Sequence, residues 1–177
     1  MPRATLSTRC NHKKVNIVTG DFKVVDTVHS AFTVSNLDRT LSVFRDFLGC
    51  EVVVQDAGTP EIVKTLTGIE NAPCKLGFVR VPGGHMIEFI EYEGPSDRGQ
   101  VVSRPCDTGA AHIALAVNDL DAALANAGDV GLTLYNGVVT IDDAPMTGTR
   151  SAYFRDPDGL TIELIQWNEN GDPFKTT

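Results

Sequence analysis

Apolar residues along the chain alternate with small or polar ones in two short stretches, each followed by a run with helical spacing. The first stretch, residues 24–34, is rich in valine with Phe32 and Thr33 and predicts a strand. Beyond it Leu37, Leu41, Phe44, Phe47 and Leu48 recur on one helix face, with Ser35 or Asn36 available as a cap and Gly49 as a stop. Residues 51–55 predict a valine-rich strand, and 60–69 a short helix bounded by Gly58 and Gly68. Two strands follow, at 76–81 and 85–92, joined by a turn at Pro82, Gly83 and Gly84.

After a Pro- and Gly-rich stretch at 94–109 the same order returns. A strand at 111–117 precedes a helix at 120–127 that Gly128 or Gly131 ends. A strand at 133–139, a loop through Pro145 and Gly148, and strands at 151–155 and 160–167 about a turn at 156–159 complete it. The residues repeat with the pattern: His29 and His112, Ala31 and Ala114, Val34 and Val117, Leu37 and Leu120, Asp38 and Asp121, Leu41 and Leu124 are identical pairs. Near the ends of the units Arg80, Pro82, Ile87, Glu88 and Ile90 match Arg155, Pro157, Ile162, Glu163 and Ile165. The chain therefore reads as an α+β fold of two tandem βαβββ modules, 24–93 and 110–168. An N-terminal arm (1–23), a linker (94–109) and a C-terminal tail (169–177) complete the division.

The 177 residues make one domain's worth of chain, and hydrophobic and charged shares of 42% and 21% are ordinary for a globular protein. A net charge of −8 argues against nucleic-acid binding. With no apolar run long enough to span a bilayer and no signal-peptide core, no membrane association and a cytoplasmic location are expected. Cys10, Cys50, Cys74 and Cys106 show no close pairing and read as reduced thiols; no histidine adjoins Cys106 in sequence, so it is not read as a nucleophile. The basic arm reads as a surface or interface segment.

The chemistry lies in the repeated His and Glu. On a strand, His29 shares its face with Ala31 and Thr33, and His112 with Ala114 and Ala116, so small neighbours leave space around each imidazole. Glu88 and Glu163 each interrupt a strand that is apolar on both faces, where a carboxylate costs several kcal/mol unless paired or bound to a cation. If the modules pair about a pseudo-twofold axis, these four side chains converge, and two imidazoles with two carboxylates suit one divalent first-row ion with two positions open. The candidate ions are Ni, Zn, Co, Mn, Mg or Fe. His85 matches Leu160 in the other module and lies opposite Glu88 on its strand, so it is read as an ordinary exposed histidine.

These motifs, Val-His-Ser-Ala-Phe, Ile-Glu-Phe-Ile, Ala-His-Ile-Ala-Leu and Asp-Pro-Asp-Gly-Leu-Thr-Ile-Glu-Leu, resemble the vicinal oxygen chelate superfamily across about residues 24–167. That superfamily includes glyoxalase I, methylmalonyl-CoA epimerase, extradiol dioxygenases, fosfomycin-resistance enzymes and bleomycin-binding proteins. The resemblance implies paired modules whose sheets form a cup around the ion, a homodimer, and His29, Glu88, His112 and Glu163 as metal ligands. An intact quartet implies an isomerase, epimerase or lyase of the glyoxalase type, in which Glu163 or Glu88 moves a proton beside a metal-bound carbonyl, through an enolate. Two other readings stay open. One is an Fe(II)-dependent extradiol-type dioxygenase using His29, His112 and Glu163; the other is a metal-free drug- or metabolite-binding protein. The expected substrate is a small carbonyl or aromatic molecule, because Arg39, Arg45, Lys64, Arg98, Arg104 and Arg150 form no contiguous basic cluster for glutathione or a coenzyme A thioester. Residues 59–69 are placed to cover the cup and shape specificity.

Overall fold

The structure, a computed structural model, describes residues 22–175. Residues 1–21 of the arm, with Cys10, and the last two residues lie outside the described part. The first module runs β1 (Ser30–Thr33), α1 (Leu37–Ser42), β2 (Glu51–Gly58), α2 (Pro60–Thr67), β3 (Cys74–Arg80) and β4 (Met86–Tyr92). The second runs β5 (His112–Ala116), α3 (Leu120–Asn126), β6 (Thr133–Thr140), β7 (Arg150–Arg155) and β8 (Thr161–Gln166). Each module is one four-stranded mixed sheet, ordered β1-β4-β3-β2 and β5-β8-β7-β6. The first strand of each lies parallel to the last, and the others pair antiparallel.

The helices start where the sequence allows it. Asn36 and Asp119 cap α1 and α3, each side chain accepting a backbone N–H three residues on at 2.9 Å. A second acceptor reaches in from the last strand: Glu91 takes the Leu37 N–H at 2.6 Å, and Gln166 takes that of Leu120 at 2.9 Å. The Leu37 N–H, helped by Lys75, holds the Glu91 carboxyl below the usual carboxylate range. α1 widens into a π-helical turn over Val43–Phe47, and α3 tightens into a 3-10 turn over Ala127–Val130 closed by Gly131 in the left-handed region.

Packing explains where the two sheets can face. Leu37, Leu41 and Phe44 pack onto Val79, Ile87 and Phe89, while Leu120 and Ala127 pack onto Ala152, Phe154, Ile162 and Leu164, and all belong to one core. Gly77 lets α1 press on β3, since a Cβ there would stand 3.0 Å from both Leu37 and Leu41 side chains. Each fully buried Leu, Ile or Phe contributes about 1.5–3 kcal/mol. The helices of both modules thus form a shared layer between the sheets. A polar tether reinforces it: Asp158, in the β7–β8 turn, accepts the Ser35 N–H (2.9 Å), the Ser35 hydroxyl (2.5 Å) and an Arg39 N–H (2.7 Å). Burial pushes the Asp158 carboxyl up, but these bonds outweigh it and leave the group below its usual range.

The strand expected over 24–34 is shorter. Only Ser30–Thr33 pairs, because its partner β4 begins at Met86 and Ser30 lies opposite Ile87. Residues 22–29 have no partner strand among the described residues and form no regular element, leaving Phe22, Val24, Val25 and Val28 exposed. The helix expected over 60–69 is α2, ended by Gly68 in the left-handed region. It has no counterpart in the second module, where 141–149 form a loop. Among the described residues no helix is long and apolar enough to cross a membrane.

Candidate functional site

Strand alternation divides each sheet into a core face and an outer face. Ile87 and Phe89 of β4, and Ile162 and Leu164 of β8, point into the helix layer and are fully buried. Glu88 and Glu163 therefore point the other way, and both remain only partly exposed. The histidines come in from alongside, His29 immediately before β1 and His112 as the first residue of β5, with Ala31 opposite Glu88 and Ala114 opposite Glu163. The results match in the two modules: His29 Nε2 stands 3.2 Å from Glu88 Oε2, and His112 Nε2 3.3 Å from Glu163 Oε2. An aromatic ring supports each imidazole. Phe78 meets His29 edge-on at 5.6 Å between centroids, and Tyr153, at the same register position, lies tilted under His112 at 5.2 Å.

The four residues thus form two pairs. Each pair lies on the outer face of its own sheet, with the shared helix layer on the other side. Among the described residues no group of three or more His, Cys, Asp or Glu is gathered to hold a metal. Convergence of all four on one point does not occur within the single chain. The reason is the core: both sheets bury the opposite face against the same helices.

The donor set fits a divalent first-row ion. Two ligands at about 2.0–2.2 Å and at right angles about one ion stand about 3 Å apart, close to the N–O spacing within each pair. Nitrogen and carboxylate donors are the kinds such ions take from imidazole and Glu.

The pairs differ in their surroundings. The Ser151 hydroxyl donates to Glu163 Oε1 at 2.6 Å, whereas Leu76 holds the matching place beside Glu88. Among the described residues Glu88 meets His29 and no hydroxyl donor. A hollow of about 320 Å³ opens by Glu163, among Tyr135, Ser151 and Tyr153; another of about 330 Å³ lies between α2 and the sheet beside Glu88. Burial raises the Tyr153 hydroxyl, and the nearby Glu163 carboxylate adds to this. A larger hollow of about 620 Å³, between Pro82 and α3, holds none of the four residues and lies partly on the core side, against Leu115 and Leu164.

Ser151 and Tyr153 are the site residues that sequence reasoning missed. The signal for them was available: register puts Tyr153 opposite Glu163, where Phe78 stands opposite Glu88. His85 contacts the Ser30 hydroxyl at 3.2 Å, away from the Glu88 face, as its parity implied. Each of the six basic candidates is engaged locally. Arg39 meets Asp158, Arg45 meets Asp46, Lys64 meets Glu70, Arg98 meets the Pro95 carbonyl, Arg104 meets Asp107 and Arg150 meets Asp121. None lines either hollow beside the His–Glu pairs. Cys50, Cys74 and Cys106 are free thiols, the first two buried.

Known proteins are similar to this chain in sequence and in fold. The chain is 32% identical over 151 residues to a 2-epi-5-epi-valiolone epimerase from Actinomyces, a match covering 83% of this chain and 81% of that protein. It is 29% identical to a lactoylglutathione lyase from Arabidopsis thaliana, over 83% of this chain and 46% of the plant protein. Its fold matches a glyoxalase family protein from Bacillus cereus with a TM-score of 0.73 at 20% identity, covering 84% of this chain and 98% of that one. The family model of the Glyoxalase/Bleomycin resistance protein/Dioxygenase superfamily matches residues 27–164, a stretch that runs from before β1 into β8 and holds both His–Glu pairs, and the chain belongs to that superfamily.

Proposed function

We propose that the chain is a divalent-metal-dependent isomerase, epimerase or lyase that moves a proton at a carbon beside a carbonyl. The observation that supports it is the matched pair of His–Glu contacts, 3.2 and 3.3 Å, on the outer faces of two equivalent sheets. His29 and Glu88 of one copy would meet His112 and Glu163 of a second copy in a homodimer, since the shared helix layer keeps the two pairs of one chain apart. When bound, a divalent ion would supply Lewis acidity toward the carbonyl oxygen, making the neighbouring C–H acidic. The remaining work falls to side chains. Ser151 fixes the rotamer of Glu163, which makes that carboxylate the stationary member. Glu88, which meets His29 but has no hydroxyl partner such as Ser151 among the described residues, is the freer base to take the proton and return it. Phe78 and Tyr153 keep the imidazoles directed at the carboxylates.

The names of the relatives favour this class: one is an epimerase, another a lyase. The small hollows, with no cation in their linings among the described residues, favour a compact substrate over a glutathione conjugate or coenzyme A thioester, with a valiolone-like ring a suitable first compound to assay. The test is elemental analysis of the purified protein followed by Glu88→Ala. About one equivalent of Ni, Co, Zn, Mn or Mg per chain, with activity abolished by Glu88→Ala, is the expected result. Iron with oxygen uptake that survives Glu88→Ala would replace this reading by a dioxygenase using His29, His112 and Glu163. A chain that takes up no ion from excess divalent metal would be a binding protein.

A further inference from the structure

The hollow beside Glu88 is built unlike its counterpart beside Glu163, because α2 covers it. α2 buries none of its residues, yet it turns Ile62, Val63 and Leu66 toward the hollow. Ile62 and Leu66 are 58% and 79% exposed, a costly arrangement for a short helix unless something apolar comes to lie against it. Leu76 and Ile90 form the opposite wall, on the sheet. The close approach is accommodated at Gly58, where a Cβ would stand 2.3 Å from the Cys74 sulfur. At about 330 Å³ the space is at the small end of the range for small-molecule sites.

Its charge is as informative as its shape. Among the described residues no Lys, Arg or His lines it. Lys64 on the same helix is paired with Glu70, and Lys75 with Glu91 and Glu93. Cys74 and Tyr92 border the space, and burial holds both groups above their usual ranges, so both are neutral near pH 7. Among the described residues Glu88 is the single charged residue of the lining, and it is engaged with His29. An anion placed under α2 would be desolvated with no partner, and a cation would compete with His29 for the one carboxylate.

We propose that the hollow between α2 and the outer face of β3 and β4 is the specificity pocket of this site, and that it takes an uncharged, largely apolar portion of the substrate, such as a ring face. The pocket rests on the reading that Glu88 stands at the reacting centre. α2 then acts as the wall that closes over the bound ring, and the second module, lacking such a helix, leaves its side of the site more open.

The experiment is fluorescence titration of the full chain, as purified, with three probes sharing one ring: neutral 2-naphthol, anionic 2-naphthalenesulfonate and cationic 2-naphthylmethylamine. The expected order places 2-naphthol at least about 10-fold tighter than either charged probe. Ile62→Glu, a change at an exposed helix position that leaves the core intact, should weaken 2-naphthol by about 10-fold or more. Tighter binding of the sulfonate or the amine would overturn the proposal, as would unchanged 2-naphthol affinity in Ile62→Glu. Sedimentation of the same variant provides a further decision: conversion of a dimer to a monomer would make this face a subunit interface and overturn the pocket. A parallel calorimetric titration with Ni(II) separates the two readings. Ni(II) binding without naphthol binding removes the pocket alone, and naphthol binding without Ni(II) binding removes the metal-dependent function while the pocket stands.

Discussion

Two lesions on opposite sheets should cure each other when two copies meet. His29→Ala removes the only nitrogen donor of one pair, and His112→Ala that of the other. Each variant alone should lose more than about 100-fold in metal affinity, since loss of groups that merely support a ligand already costs 10–100-fold. Both histidines sit on outer faces and are partly exposed, so neither change hollows the core. In a dimer whose sites join opposite modules of two chains, a hybrid of the two variants has one site carrying both lesions and one carrying neither. Random exchange of an equal mixture makes half the dimers hybrid, so about one quarter of the wild-type site count should return. Calorimetry with Ni(II), after native mass spectrometry has confirmed hybrid formation, reads that fraction without any knowledge of the substrate. A fully exchanged mixture that binds no more Ni(II) than its parents would refute the assembly of the site from two copies.

Three further outcomes follow from the fold. Asp158→Ala removes the acceptor of three hydrogen bonds that join the modules and should cost about 1–3 kcal/mol in urea unfolding, with Asp158→Asn recovering part of it; a loss below about 0.5 kcal/mol would mean the apolar helix layer alone holds the modules together. Gly58→Ala should destabilise by about 1–3 kcal/mol, and adding Cys74→Ala should restore most of the loss, because the added methyl collides with that sulfur; purely additive losses would place the strain elsewhere. Glu91 titrates below the usual range when folded, so its contribution is present above the ordinary Glu value of about 4.3 and is lost as pH falls through the lower folded value. Glu91→Gln keeps an acceptor for the Leu37 N–H, as Gln166 does for Leu120, and as pH falls from 7 to well below the ordinary Glu value of about 4.3 should lose less stability than the wild type; an equal loss would assign acid sensitivity to other carboxylates.

The modules and their element order were legible in the sequence because each is a local or periodic feature, and the same repeat singled out the four candidate residues that the structure brings together as His29–Glu88 and His112–Glu163. Glycines and capping residues bounded the helices, and alternation put each Glu on the face opposite Ile87, Phe89, Ile162 and Leu164. The start of β1 was not legible: an apolar run such as Val24–Val28 looks like a strand until its partner's first residue, Met86, is known. Nor could local pattern show that both sheets bury their inner faces against one helix layer, which is what separates the two His–Glu pairs in a single chain. The Asp158 tether escaped for the same reason, since it joins residues that only the packed modules bring together.

In the proposed metal site, duplication also sets where selectivity would reside. Two copies of one module would supply equivalent ligands, and equivalent ligands cannot by themselves tell one end of a substrate from the other. The differences between the modules must do so. Leu76 against Ser151, Phe78 against Tyr153 and α2 against a loop all fall around the ligand pairs, and all make the Glu88 side drier and the Glu163 side more polar. A substrate bound across them would place its apolar portion under α2 and its hydroxyl-bearing portion toward Ser151 and Tyr153. Its reacting carbon would then lie within reach of the less restrained Glu88. Exchanging the contrast, with Leu76→Ser and Ser151→Leu together, should therefore degrade substrate selection while leaving Ni(II) stoichiometry unchanged; loss of Ni(II) binding in that variant would show that Ser151 serves the ligand set rather than the choice of substrate.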